Sequence, residues 1–225
     1  RADLPPTAQP AAAQVREAVH DGYKRLLAPS IEREVRGERT ETADGHAVQI
    51  FAASKGKTVK DFLVLGGSKR GWTTWLTAAV DPRVRAFVPA SIDMPNLGQQ
   101  FIHHWEAYGF YAPALNDYAA FDLPCRVQTP EGRALLQVVD PYAYRDRYTM
   151  PKLILNSAGD QFFTSDSSRF YYDGLPGPKW LRYAPNTDHK QNESVIFAGL
   201  SWIDDMLDNK ISPQITWALE GEGTL

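Results

Sequence analysis

Residues 62–75 read FLVLGGSKRGWTTW. Phe62 to Leu65 is a continuous apolar run of strand length, which predicts a strand buried on both faces that ends at Gly66-Gly67. Arg70 to Ala79 then has the composition of a helix. A serine on a sharp turn between a buried strand and a helix is a nucleophile elbow. The turn exposes the hydroxyl, and the helix N-terminus can stabilise an oxyanion. Ser68 occupies that turn. The crowded backbone needs small neighbours, and Gly66 and Gly67 precede the serine. The glycine expected two places after it is replaced by Arg70, with Gly71 following, so the pattern is G-x-S-x-R-G rather than G-x-S-x-G. A plain glycine turn leading into a serine-capped helix is the structural alternative.

Outward from this stretch, short apolar runs alternate with helical ones. Val84 to Ala90, Lys152 to Asn156 and Lys179 to Ala184 read as strands, and helices are expected around Ser165 to Tyr172 and Glu193 to Leu207. Alternating strands and helices with near-continuous apolar strands predict an α/β fold with a parallel sheet. Between Asn96 and Met150 the period is lost among aromatics, prolines and short helical pieces. An insertion of that length, about 95–150, reads as a helical cap over a site or as a packed subdomain.

The partners a serine nucleophile needs arrive in the order Ser, Asp, His, each just beyond an expected strand. Asp160 follows the strand LILN, and His189 follows KWLRYA. His189 would take the Ser68 proton and return it to the leaving group, while Asp160 would fix the imidazole tautomer. The backbone N–H of Lys69, at the helix start, would face the oxyanion. Singly, Asp160 is a turn residue and His189 a loop histidine; their shared placement at one sheet edge raises the catalytic reading. Asp93, also just after a strand, and Asp166 are reserve acids.

Residues 1–54 differ in character. The chain has six Trp, ten Tyr and ten Phe, yet only Tyr23 and Phe51 precede residue 60. Val15, Val19, Tyr23, Leu26 and Leu27 recur at helical spacing, Pro29 ends that helix, and Ser30 can cap a second one. The division expected is a helical segment over 1–54, an α/β unit over 55–210, and the start of a truncated β-rich extension over 211–225. Net charge is −3, from 24 Lys and Arg against 27 Asp and Glu, so no general attraction to nucleic acid or anionic membrane is built in. There is no apolar run long enough for a membrane span. RADLPPTAQPAAA lacks a signal-peptide pattern. Cys125, the sole cysteine, cannot form an internal disulfide or a cysteine-based zinc site.

GGSKRGWTTWLTAAVDPRV, HHWEAYGFYAPALNDY, VDPYAYRDRYTMPKLILNSAGDQFF and LRYAPNTDH together resemble the PhoPQ-activated pathogenicity-related protein family, of the PqaA type, from about Lys55 onward. That resemblance implies an α/β-hydrolase fold and a serine hydrolase of undefined substrate, exported or periplasmic. It aligns Ser68, Asp160 and His189 with the family's elbow, post-strand acid and final histidine, and the arginine after the elbow is part of the family pattern. Separately, AVHDGYKRLLAPSIEREVRGERTETADGHAVQIFAA resembles a helical segment of the Tex family of transcription accessory proteins, without a catalytic motif. A hydrolase of this type should have four strands and an oxyanion loop before its elbow, where residues 1–54 read as helices. The expectation is therefore a truncated or chimeric hydrolase-like chain, with impaired turnover and self-association through an exposed sheet edge.

Trp72, His103, His104, Trp105 and Tyr108 are expected to line a substrate pocket. His103, His104 and Glu106 do not make a metal site, because adjacent histidines on a helix diverge. Gly56-Lys57-Thr58 is no phosphate loop, since Phe51 stands where its first glycine is required. No metal or cofactor is expected. The partner expected is a small-molecule or peptide substrate, with no nucleic acid bound by the hydrolase region. Two functions stand at this point. One is ester or amide hydrolysis through a Ser68 acyl-enzyme. The other is a non-catalytic hydrolase-like fragment or interaction module, Tex-like and nucleic-acid-associated through its N-terminal helices.

Overall fold

The structure, a computed structural model, describes residues 61–210 and Pro213. The expected helices of 1–54, the Tex-like segment and the extension over 211–225 lie outside these residues, Pro213 apart. Four strands form one sheet: β1 (Phe62–Gly67), β2 (Val84–Ala90), β3 (Lys152–Ser157) and β4 (Lys179–Ala184). They lie in chain order and all pair in parallel. The register sets Gly67 beside Ala90, Ala90 beside Leu155 and Ser157 beside Ala184. The carboxyl ends of the strands are thereby level, and the loops leaving them share one edge. Ligands in open α/β sheets bind at such an edge.

The central strands β2 and β3 are buried almost throughout because both of their faces are covered, whereas β1, expected to be buried on both faces, lies at the edge of the described sheet and leaves Leu65 exposed. Phe87 and Ile154 point to one side, into a core with Trp75, Tyr148 and Tyr171. Their neighbours Ala86, Val88, Leu153 and Leu155 point to the other, against Val195 and Trp202. Helix α1 (Lys69–Val80) closes the first face with Gly71, Thr74, Trp75 and Ala78, which recur at helical spacing. Trp75 stands edge-on to Phe87 at 5.1 Å and to Tyr148 at 5.0 Å. Helix α6 (Glu193–Leu207) covers the second face and starts where Asn192 caps it by accepting the Ser194 N–H at 3.1 Å.

Between β2 and β3 run α2 (Leu97–Tyr108), α3 (Asn116–Ala120), α4 (Leu123–Arg126) and α5 (Pro130–Val139). This segment has its own small core of Phe101, Val127 and Leu136. It is tied to the sheet at two points. Trp72 Nε1 on α1 donates to Val139 O at 2.7 Å. The Asp140 carboxylate accepts the N–H groups of Asn96 and Leu97, at 3.0 and 2.7 Å, and so caps α2 from 43 residues away in sequence. The expected helix over Ser165 to Tyr172 is only a 3₁₀ turn, Ser167–Phe170. The Thr164 and Ser167 hydroxyls bond each other and Gln100 takes the Ser167 carbonyl, which favours a tight turn over a helical ladder. No helix among the described residues is long and apolar enough to cross a membrane.

Candidate active site

Ser68 has φ 56° and ψ −124°, backbone that a side chain rarely adopts. Its N–H donates to Ala90 O at 2.8 Å across the β1–β2 pair, and its carbonyl accepts the Trp72 N–H at 3.0 Å in the first turn of α1. The turn is held from both sides. Two glycines make this possible. A Cβ at Gly66 would lie 2.6 Å from Arg70 O, and one at Gly71 would lie 2.5 Å from Ile92 Cγ2 and 2.9 Å from Ala90 O. Gly71 therefore brings the helix against β2, and Arg70 is left exposed with no packing role to fill.

At the same edge, Asp160 leaves β3 and His189 leaves β4. Their loops are joined by Ala158 N–H to Ala184 O at 2.9 Å and Gly159 N–H to Thr187 O at 3.0 Å. The Phe162 N–H donates to Asp160 Oδ1 at 2.8 Å, fixing the carboxylate plane. The other oxygen, Oδ2, is 2.8 Å from His189 Nδ1, and His189 Nε2 is 2.8 Å from Ser68 Oγ. Ser68, His189 and Asp160 thus form one hydrogen-bonded chain from three loops. The Asp160 side chain is 4% exposed. Gln161 Oε1 accepts the His189 backbone N–H at 3.0 Å, and the Phe162 ring lies 4.4 Å from the imidazole, so the histidine is braced on two sides.

The reserve acids are engaged elsewhere. Asp166 pairs with His103 at 2.8 Å and with Arg169, and these partners hold its carboxyl below the usual range despite burial that opposes them. Asp93 is buried, and its two oxygens accept the hydroxyls of Tyr171, at 2.6 Å, and of Tyr183. Burial pushes its carboxyl up to about 7, against the pull of both phenols.

A cavity of about 120 Å³ opens beside Ser68 and His189. Its wall is mostly apolar and includes Trp72 and His104 of the pocket candidates, together with Lys69. His103, Trp105 and Tyr108 are not part of it. His103 turns to Asp166, while Trp105 and Tyr108 are half-exposed on the outer side of α2. Their places are taken by residues that pattern reasoning passed over, chiefly Ile92, Met94, Phe162 and Phe163. A signal existed for the last two: they follow Asp160 after a single residue in the sequence AGDQFF. No group of three or more His, Cys, Asp or Glu among the described residues is arranged to hold a metal ion.

The fold is that of the α/β-hydrolases. An acetyl xylan esterase from Paenibacillus sp. R4 superposes with a TM-score of 0.53 at 20% identity, over 70% of this chain and 49% of its own. The acylaminoacyl peptidase of Pyrococcus horikoshii does so with 0.53 at 12% identity, over 76% of this chain and 27% of its own. At these identities the likeness speaks for the fold. The chain belongs to the PhoPQ-activated pathogenicity-related protein family, which matches residues 41–224. Autocrine proliferation repressor protein A of Dictyostelium discoideum is 37% identical over 176 residues, 76% of this chain and 36% of that protein. Uncharacterized protein YdcI of Bacillus subtilis is 44% identical over 55 residues, 20% of this chain and 8% of its own. The chain spans well under two-thirds of the length of these relatives.

Proposed function

We propose that this protein is a serine hydrolase that cleaves an ester or amide bond through a Ser68 acyl-enzyme. The observation that carries this reading is the Asp160–His189–Ser68 chain, with both links at 2.8 Å, at the carboxyl edge of the sheet. Ser68 Oγ attacks the acyl carbon as its proton passes to His189 Nε2, and the carbonyl oxygen becomes an oxyanion. The Lys69 N–H, at the positive end of α1, faces that charge. Collapse breaks the bond to the leaving group, which departs with the proton from His189. Water then repeats the sequence on the acyl-enzyme, releases a carboxylic acid and restores Ser68. Asp160 holds the Nδ1–H tautomer, so that Nε2 is free to accept. Two of the solved structures sharing the fold are named as acetyl xylan esterases and others as acylaminoacyl peptidases, which is in keeping with acyl transfer.

The test is labelling by a fluorophosphonate together with turnover of p-nitrophenyl acetate. Wild-type protein is expected to be labelled at Ser68 and to turn over the ester. Ser68→Ala is expected to lose both while keeping its melting temperature. Absence of labelling in folded wild-type protein would favour the non-catalytic module instead.

A further inference from the structure

Two residues lining the cavity each keep a polar atom without a hydrogen bond among the described residues. Helix α2 presents Gln100 and His104, one turn apart, to the cavity, and both are buried, at 7% and 4% exposure. Gln100 Nε2 donates to Pro95 O and to Ser167 O, each at 3.1 Å. Both acceptors are backbone carbonyls, so the orientation of the amide is fixed and both its hydrogens are used. Both hydrogen bonds that the Gln100 side chain makes among the described residues run from Nε2, and none reaches Oε1. His104 is its complement. His104 Nε2 accepts the Ala112 backbone N–H at 3.1 Å, and a backbone amide can only donate, so the ring proton sits on Nδ1. Burial and the neighbouring His103 lower the pKa of His104 and favour the neutral ring. The hydrogen bond that the His104 ring makes among the described residues is at Nε2, and none is made by Nδ1–H. Elsewhere on the wall, Thr164 Oγ1 and Ser167 Oγ bond each other at 2.9 Å. An acceptor and a donor left without partners among the described residues, on residues that line an apolar wall, are what a bound molecule would pair.

Resting on the hydrolase reading, we propose that the part of the substrate held in this cavity is an apolar chain bearing one neutral group that both donates and accepts, a hydroxyl or a secondary amide, taken by Gln100 Oε1 and His104 Nδ1–H. These two side chains determine specificity. A carboxylate would meet Oε1 and be repelled, an ammonium would meet Nδ1–H, and a plain hydrocarbon would leave both atoms unpaired.

The experiment measures how 2-hexanol, N-propylacetamide and 2-hexanone slow fluorophosphonate labelling of the wild-type protein. The ketone has the shape of the alcohol and still accepts from His104, but it cannot donate to Gln100. The alcohol or the amide is expected to halve the labelling rate at a concentration at least tenfold lower than the ketone, and the stronger of the two identifies the group. Gln100→Leu, checked for its melting temperature, is expected to erase the preference. If neither ligand reaches tenfold in the wild-type protein, the proposal is overturned, whatever the variant does. If the wild-type protein is not labelled at all, the hydrolase reading fails instead. Saturation-transfer NMR with the same three ligands then reads the ratio directly, with the same tenfold threshold, so the two failures stay distinct.

Discussion

Ser68 is held at φ 56°, and a non-glycine residue in a sparsely populated region costs about 1–3 kcal/mol. Its surroundings over-determine it, through Ala90 O in front and Trp72 N–H behind. The acid of the proposed triad follows from the same kind of local contact. Asp160 faces His189 Nδ1, whereas Asp166 is committed to His103 and Arg169, and Asp93 to two tyrosines. Asp160→Asn would free the wrong tautomer and is expected to lower kcat by about 10³- to 10⁴-fold with little change in KM. Asp166→Asn is expected to leave turnover near wild type. Steady-state kinetics on p-nitrophenyl acetate check both, and equal losses in the two variants would break the assignment.

Between elements, the helix–strand contact at Gly71 decides whether the elbow forms. A methyl group there would run into Ile92 and the Ala90 carbonyl that also receives the Ser68 N–H, so it pushes α1 off the strand that fixes Ser68. Gly71→Ala is expected to cost about 1–3 kcal/mol in urea unfolding and most of the turnover. Arg70→Gly, which restores the commoner spacing, is expected to keep activity and lose up to about 1 kcal/mol of helix stability. The elbow was legible because its requirements are local: an apolar run, small residues and a helical period. The order of Asp160 and His189 was legible because each follows a short apolar strand. The cavity wall was not. Which face of α2 looks inward is set by Asp140 capping it from a distant loop and by Gln100 reaching Ser167, neither of which leaves a periodic trace. Aromatic content pointed to Trp105 and Tyr108, but packing turned them outward.

Among the described residues, burial moves Asp93, Asp140 and Lys152 into the range between about pH 6 and 8, and their signs combine into one pH profile. Burial raises the Asp93 carboxyl to about 7, above the opposing bonds from Tyr171 and Tyr183. It raises Asp140 to about 6, above three backbone N–H bonds. Both are near 3.9 when unfolded. Between about pH 4 and their folded values, the native state holds protons that the unfolded state has released, so stability falls as pH rises through this window. Lys152 runs the other way. Buried with its ammonium on Pro176 O and Pro178 O, it is lowered to about 8 by burial, with Lys179 adding repulsion. Between about pH 8 and the unfolded value near 10.5, the unfolded state holds the extra proton, so stability rises with pH. These groups together place a shallow minimum of stability near pH 7 to 8. Urea midpoints at pH 5, 7.5 and 9.5 for wild type, Asp93→Asn and Lys152→Met measure it. Asp93→Asn is expected to reduce the drop from pH 5 to 7.5 and leave the rise to 9.5. Lys152→Met is expected to remove the rise alone. Parallel profiles for all three proteins would mean that the buried groups titrate in the folded chain as they do in the unfolded one.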